Sequence, residues 1–179
     1  MAKIDEDKSY YAPQHDLDWD ALPLHSEILP GLWLGGTADW DTIDIPVVDI
    51  NDDREITTEK FDAVVTLYAW AQPVDWHVQE YRYGFYDSNE IGIDHTALGM
   101  MIDFAEHHWK AGKKVLIRCQ AGINRSSFVM AFLLMRQGFT AEEAIALMRE
   151  KRSSYVLMNQ AFEDFLLGLD ERKEPSIES

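Results

Sequence analysis

A single cysteine, Cys119, occurs in 179 residues. An internal disulfide is therefore excluded, and a lone thiol fits a reducing compartment, so a cytoplasmic protein is expected. Positive charge is scarce too: 16 Lys and Arg stand against 32 Asp and Glu, a formal net charge of -16. Such a surface repels duplex nucleic acid and anionic lipid, and neither is expected as a main partner. No run approaches the roughly 20 apolar residues of a membrane span, and no apolar segment follows the opening Met1-Ala2-Lys3-Ile4-Asp5-Glu6-Asp7, so a soluble, unsecreted chain is expected. The nucleotide fingerprints Gly-x-Gly-x-x-Gly and Gly-x4-Gly-Lys-Ser/Thr are missing, which predicts no cofactor. No His-Glu-x-x-His pattern exists, and of the six histidines only His107 and His108 adjoin, facing different ways on a helix; no metal is expected.

What remains is enough apolar residue, 46%, for one well-buried core, in a chain too short for two comfortable domains. A monomer is expected. Residues 1–25 are acidic and aromatic, carry Pro13 and Pro23, show no sustained period, and read as an N-terminal arm. Residues 26–169 carry the periodic segments of a domain. Residues 170–179, charged and interrupted by Pro175, read as a flexible acidic tail.

The domain is organised around Val115-Leu116-Ile117-Arg118-Cys119-Gln120-Ala121-Gly122-Ile123-Asn124-Arg125-Ser126-Ser127. The short apolar run reads as a buried strand, Gly122 as a turn, and the apolar residues from Phe128 to Met135 as an enclosed helix. A loop between strand and helix N-terminus can bind an anion with its own N–H groups, aided by the positive end of the helix. The same field, with the Arg125 guanidinium, favours the thiolate of Cys119, which is the nucleophilic form. Arg125 can grip two phosphoryl oxygens with its planar fork.

Around this stretch, Glu27 to Gly36 reads as strand, turn, strand; Pro46 to Ile50, Phe61 to Tyr68 and Tyr81 to Tyr86 read as further strands, with Asn51 to Lys60 a charged loop. Asp94 can cap a helix running to about Lys110, ended by Gly112; Thr140 and Glu143 form a capping box after the stop at Gly138; Phe162, Phe165, Leu166 and Leu169 mark a last helix. Strands alternating with helices predict an α/β fold, a central mostly parallel sheet of about five strands flanked by helices.

Cys119-Gln120-Ala121-Gly122-Ile123-Asn124-Arg125-Ser126 resembles the Cys-x5-Arg-Ser/Thr signature of the protein tyrosine phosphatase superfamily, most closely its dual-specificity branch. The segment from Glu27 to Gly36 is similar to that branch's Ile-x-Pro-x-Leu-x-Leu-Gly entry. The resemblance implies phosphate held by Gln120, Ala121, Gly122, Ile123, Asn124 and Arg125, attack by Cys119, and a hydroxyl, Ser126, assisting breakdown of a thiol-phosphate intermediate. Arg118 departs from it, because a histidine usually precedes the nucleophile; on a strand its side chain should point away from Cys119.

The leaving oxygen needs a proton, so a carboxylic acid is required nearby. Asp87 is preferred, because its 32-residue separation from Cys119 resembles the family's spacing; Asp94 and Glu90 are the rivals. Asn124 is expected to orient the loop, and Asn159 either to support it or to cap the last helix. The implied activity is hydrolysis of phosphotyrosine, and of phosphoserine and phosphothreonine, in a phosphorylated protein. The alternatives are a non-protein phosphate ester (a phosphoinositide or an RNA 5′ triphosphate) and a phosphate-binding pseudophosphatase. The absence of lysine between Cys119 and Arg125 weighs against the inositol option.

Overall fold

The computed structural model describes residues 22–37, 47–48, 55–56 and 60–171. Most of the arm proposed for residues 1–25 lies outside these, as does the tail from 172 onward.

Among the described residues, seven strands and four helices follow one another as β1 (His25–Leu29), β2 (Leu32–Gly35), β3 (Val47–Val48), β4 (Glu55–Ile56), β5 (Ala63–Thr66), β6 (Gln79–Arg82), α1 (His95–Lys110), β7 (Val115–Arg118), α2 (Arg125–Arg136), α3 (Ala141–Lys151) and α4 (Gln160–Glu171). Five strands form the main sheet in the order β1-β2-β7-β5-β6, while β3 and β4 make a separate pair. Within the main sheet only β1 runs antiparallel to its neighbour; β2, β7, β5 and β6 are mutually parallel. The chain is thus the mostly parallel, helix-flanked α/β fold expected.

Strand β7 lies in the middle and is buried at all four residues. Its alternation explains why: Val115 and Ile117 join the large helix-side cluster with Val65, Leu34, Met101 and Phe128, whereas Leu116 turns to a smaller cluster with Val64, Phe61 and Val78. A strand covered on both faces has to be apolar throughout. Helix α2 meets α1, α3 and α4 as well as β7, so Phe128, Val129, Met130, Ala131, Leu133 and Leu134 are all buried.

The expected helix ends are present. Asp94 Oδ1 accepts from Ala97 N at 2.8 Å, and Thr140 with Glu143 closes a reciprocal capping box. Three expectations need correction. The strand anticipated over Tyr81 to Tyr86 lies at Gln79–Arg82 instead; its partner β5 ends at Thr66, and after Tyr83 N donates to Thr66 O no strand remains to pair with. The charged segment Asn51 to Lys60 contains β4, paired antiparallel to β3. The last helix continues to Glu171, two residues into the segment assigned to the tail.

Candidate functional site

Because β5, β6 and β7 are parallel, the loops leaving their C-terminal ends collect at one sheet edge, where ligand crevices form in open α/β sheets. A cavity of about 300 Å³ lies there, lined by Asp87, Cys119, Gln120, Ala121, Ile123, Asn124, Arg125 and Met158. Every residue from Cys119 to Arg125 that sequence reasoning grouped borders it except Gly122, which lies behind.

Gly122 has to be glycine. Its φ is +70°, and a Cβ would come within 2.3 Å of the Gly35 carbonyl carbon and 2.6 Å of Arg152 Nη2. This turn aims Gly122 N–H at the thiol, with N to Sγ at 3.3 Å. Cys119 is 2% exposed, and the Ser126 hydroxyl stands 3.2 Å from its sulfur. Among the described residues, the main-chain N–H groups of Gln120, Ala121, Ile123, Asn124 and Arg125 have no protein acceptor. Five such donors and a helix N-terminus in one turn of chain make a cradle for an anion.

Arg125 is placed by the first residue of α2. Its Nη1 donates to Phe85 O at 3.3 Å and weakly to Leu67 O at 3.5 Å, its guanidinium carbon sits 5.5 Å from the Tyr68 ring centre, and its Nε is buried without a protein partner. The fork is thereby fixed at one end and left with a donor to give.

Asp87 is the carboxylate that lines the cavity. Its Oδ2 accepts from Asn124 Nδ2 at 3.0 Å and its Oδ1 from Asn159 Nδ2 at 2.8 Å. Asn159 in turn donates its main-chain N–H to Asn124 Oδ1 at 3.0 Å and its amide to Ser88 O at 3.1 Å. Asn124 thus bridges the loop to Asp87, the orienting part expected of it, and Asn159 combines both roles considered for it, because its Oδ1 also accepts from Ala161 N at the start of α4. The rivals are elsewhere: Asp94 spends its oxygen on the α1 cap, and neither it nor Glu90 borders the cavity.

Arg118 points away from Cys119. It lies across from Thr66 on the face of Leu116, fully buried, donating to Thr66 Oγ1 at 2.9 Å and Gln72 O at 2.8 Å, with Glu80 at 3.5 Å. Reasoning from sequence missed Arg152 and Met158. Arg152 follows α3 in the run Lys151-Arg152-Ser153-Ser154, which reads as surface, yet the side chain is 7% exposed and reaches under the loop to Gly122 O at 2.6 Å and Ala121 O at 3.1 Å. Nothing in the local pattern signals this. Above it, burial, then Arg152 and Arg118, lower the pKa of His25 to about 4.

Residues 77–172 match the family described as "Dual specificity phosphatase, catalytic domain", and the chain belongs to that family. Over 69 residues it is 35% identical to the "Dual specificity protein phosphatase 26" of Rattus norvegicus, a match covering 38% of this chain and 32% of that protein. Its fold is shared by the human tyrosine phosphatase-like serine/threonine/tyrosine-interacting protein (TM-score 0.63, 21% identity, 83% of this chain and 96% of that one). Tk-PTP in its active form is similar (TM-score 0.64, 24%, 84% and 98%), as is PTPMT1 in complex with PI(5)P (TM-score 0.59, 18%, 85% and 100%).

Proposed function

We propose that this protein is a cysteine-dependent phosphatase that hydrolyses phosphotyrosine, and phosphoserine and phosphothreonine, in proteins. The observation that carries the reading is the cradle itself: five unpaired main-chain donors and the Arg125 fork disposed around one thiol. Bound phosphate lies on those N–H groups, with Arg125 bridging two of its oxygens. The Cys119 thiolate attacks phosphorus in line with the ester oxygen; the S–P bond forms as the P–O bond breaks, and Asp87 gives its proton to the departing oxygen. Asn124 and Asn159 each occupy one lone pair of the Asp87 carboxyl, which leaves a further lone pair on each oxygen for the proton. Water then attacks phosphorus, Asp87 takes its proton, and the S–P bond breaks. The Ser126 hydroxyl, at 3.2 Å from the sulfur, donates to the leaving thiolate.

A protein substrate is favoured over a polyphosphorylated one by the lining, in which Arg125 is the sole cation. The net charge of -16 points the same way. PTPMT1, a structural neighbour, is solved with a phosphoinositide, so that ligand class belongs in the test. Among the described residues no helix is long and apolar enough to cross a membrane; a cytoplasmic location is proposed on the reduced single thiol. The test is hydrolysis of an aryl phosphate by wild type and by Cys119→Ser, followed by phosphopeptides against a phosphoinositide. Equal turnover by the two proteins refutes the covalent route, and preference for the inositol lipid refutes the protein substrate.

A further inference from the structure

Two buried arginines flank the nucleophile's strand, and they differ in what neutralises them. Arg118 has a carboxylate, Glu80, which also receives Thr66 Oγ1 at 2.6 Å. Arg152 has none. Its partners are Gly122 O, Ala121 O, Pro23 O at 3.0 Å, Ser26 Oγ at 3.1 Å and Leu34 O at 3.4 Å, all neutral acceptors. A buried cation satisfied only by neutral groups keeps its charge unbalanced, and removing charge from water without a counter-ion is costly. An anion close by is therefore favoured.

The geometry supplies a route to one. Arg152 Nη2 donates to Ala121 O, and the N–H of that same peptide unit belongs to Gly122 and donates to Cys119 Sγ. A guanidinium on the carbonyl end of a peptide polarises the N–H end, and chains of hydrogen bonds strengthen in this way in a low-dielectric interior. We propose that Arg152 is the buried charge that holds Cys119 as a thiolate, acting through the Ala121–Gly122 peptide and doing what Arg118, turned to the far face, does not. This rests on the reading of Cys119 as nucleophile.

Among the described residues, the other charged or titratable groups near the loop are Arg125, Asp87, Arg118 and His25. Arg125 faces the cavity from α2, Asp87 faces it from the loop after β6, and Arg118 is paired across the sheet. His25, on β1, is lowered to about 4 by burial and the two arginines, so it is neutral at pH 7 and adds no charge. Burial draws Arg152 itself down to about 10, and a negative Cys119 opposes that shift, so the guanidinium stays charged at neutral pH.

The test is the pH profile of Cys119 alkylation by iodoacetamide in folded wild type, Arg152→Gln and Arg152→Lys, the fold being checked by circular dichroism. Glutamine places an amide N–H where Arg152 Nε donates to Gly122 O but carries no charge; lysine keeps the charge. The midpoint should rise by about one pH unit or more in Arg152→Gln, a roughly tenfold loss of reactivity below it, and by less than half as much in Arg152→Lys. Coincident midpoints for wild type and Arg152→Gln overturn the proposal, and so does an equal rise in both variants, which would make loop shape the cause. If Arg152→Gln does not fold, Arg152→Lys decides: a midpoint still well below that of the denatured protein supports the charge, and one equal to it refutes the charge. A wild-type midpoint equal to that of the denatured protein would instead refute the nucleophile reading, so the two failures are distinguishable.

Discussion

The two loops that meet at the cavity are held in different ways. From Cys119 to Arg125 the chain is clamped between β7 and α2, with Cys119, Gly122, Ile123 and Asn124 buried and Arg152 bonded to its carbonyls from beneath. The segment carrying Asp87 has no regular structure, and Tyr86 beside it is 83% exposed. Its polar tethers at the cavity come from two asparagine side chains. One loop is moulded by the core and the other is pinned at a point. Under the proposed function, phosphate binding belongs to the moulded loop and proton delivery to the pinned one, so damage to the first should be general and damage to the second conditional.

The sharpest test of that division is Cys119→Ser, which should abolish turnover of every phosphate ester while phosphate still binds, because the donors and Arg125 are untouched. Isothermal titration with inorganic phosphate, beside the rate assay, checks both halves. Next, Arg125→Lys should lower kcat/KM on the order of a hundredfold whatever the leaving group, since an ammonium cannot make two parallel bonds. Asp87→Asn should behave otherwise. Loss of a positioned acid costs about 10²- to 10⁴-fold where the leaving alkoxide needs a proton, and little where an activated phenol departs unaided. A plot of kcat against leaving-group acidity reads this, and a uniform loss across the series would erase the contrast between the loops.

The smallest effect concerns stability beneath the moulded loop. The pKa of His25 is lowered to about 4 in the fold and returns to the ordinary range near 6.5 on unfolding. The unfolded chain therefore takes up a proton first as pH drops. The neutral imidazole's contribution is intact above about pH 6.5 and is lost as pH falls from there towards 4, at up to about 1.4 kcal/mol per pH unit. His25→Gln should flatten urea-unfolding stability over that window, and an unchanged slope would show that His25 is not the titrating group.

Much of this was legible in the residues themselves. Strand, glycine turn and enclosed helix around Cys119 are local signals, each written within a few positions, and the caps at Asp94 and Thr140 are equally local. The place of Asp87 was reached through a spacing shared with a family. What stayed hidden depends on contacts distant in sequence. Arg152 sits among polar residues, and its burial arises because β1, β2 and the Cys119–Arg125 loop close over it, at separations of 30 to 129 residues. The end of β6 was misplaced because a strand stops where its partner stops, and Thr66 on β5, not the aromatic run itself, sets that point.

The solitary thiol has a consequence in redox terms. Cys119 lines the cavity, and the chain holds no second sulfhydryl to trap its first oxidation product as a disulfide. A sulfenic acid formed there has two reversible exits: condensation with a backbone nitrogen of its own loop, losing water, or capture by a thiol from outside such as glutathione. Failing both, further peroxide carries it to the sulfinic acid and ends the sulfur's chemistry. Recovery after oxidative stress is therefore set by the thiol pool of the surroundings, so under the proposed function the sulfur that meets an incoming phosphate depends on other molecules for its repair.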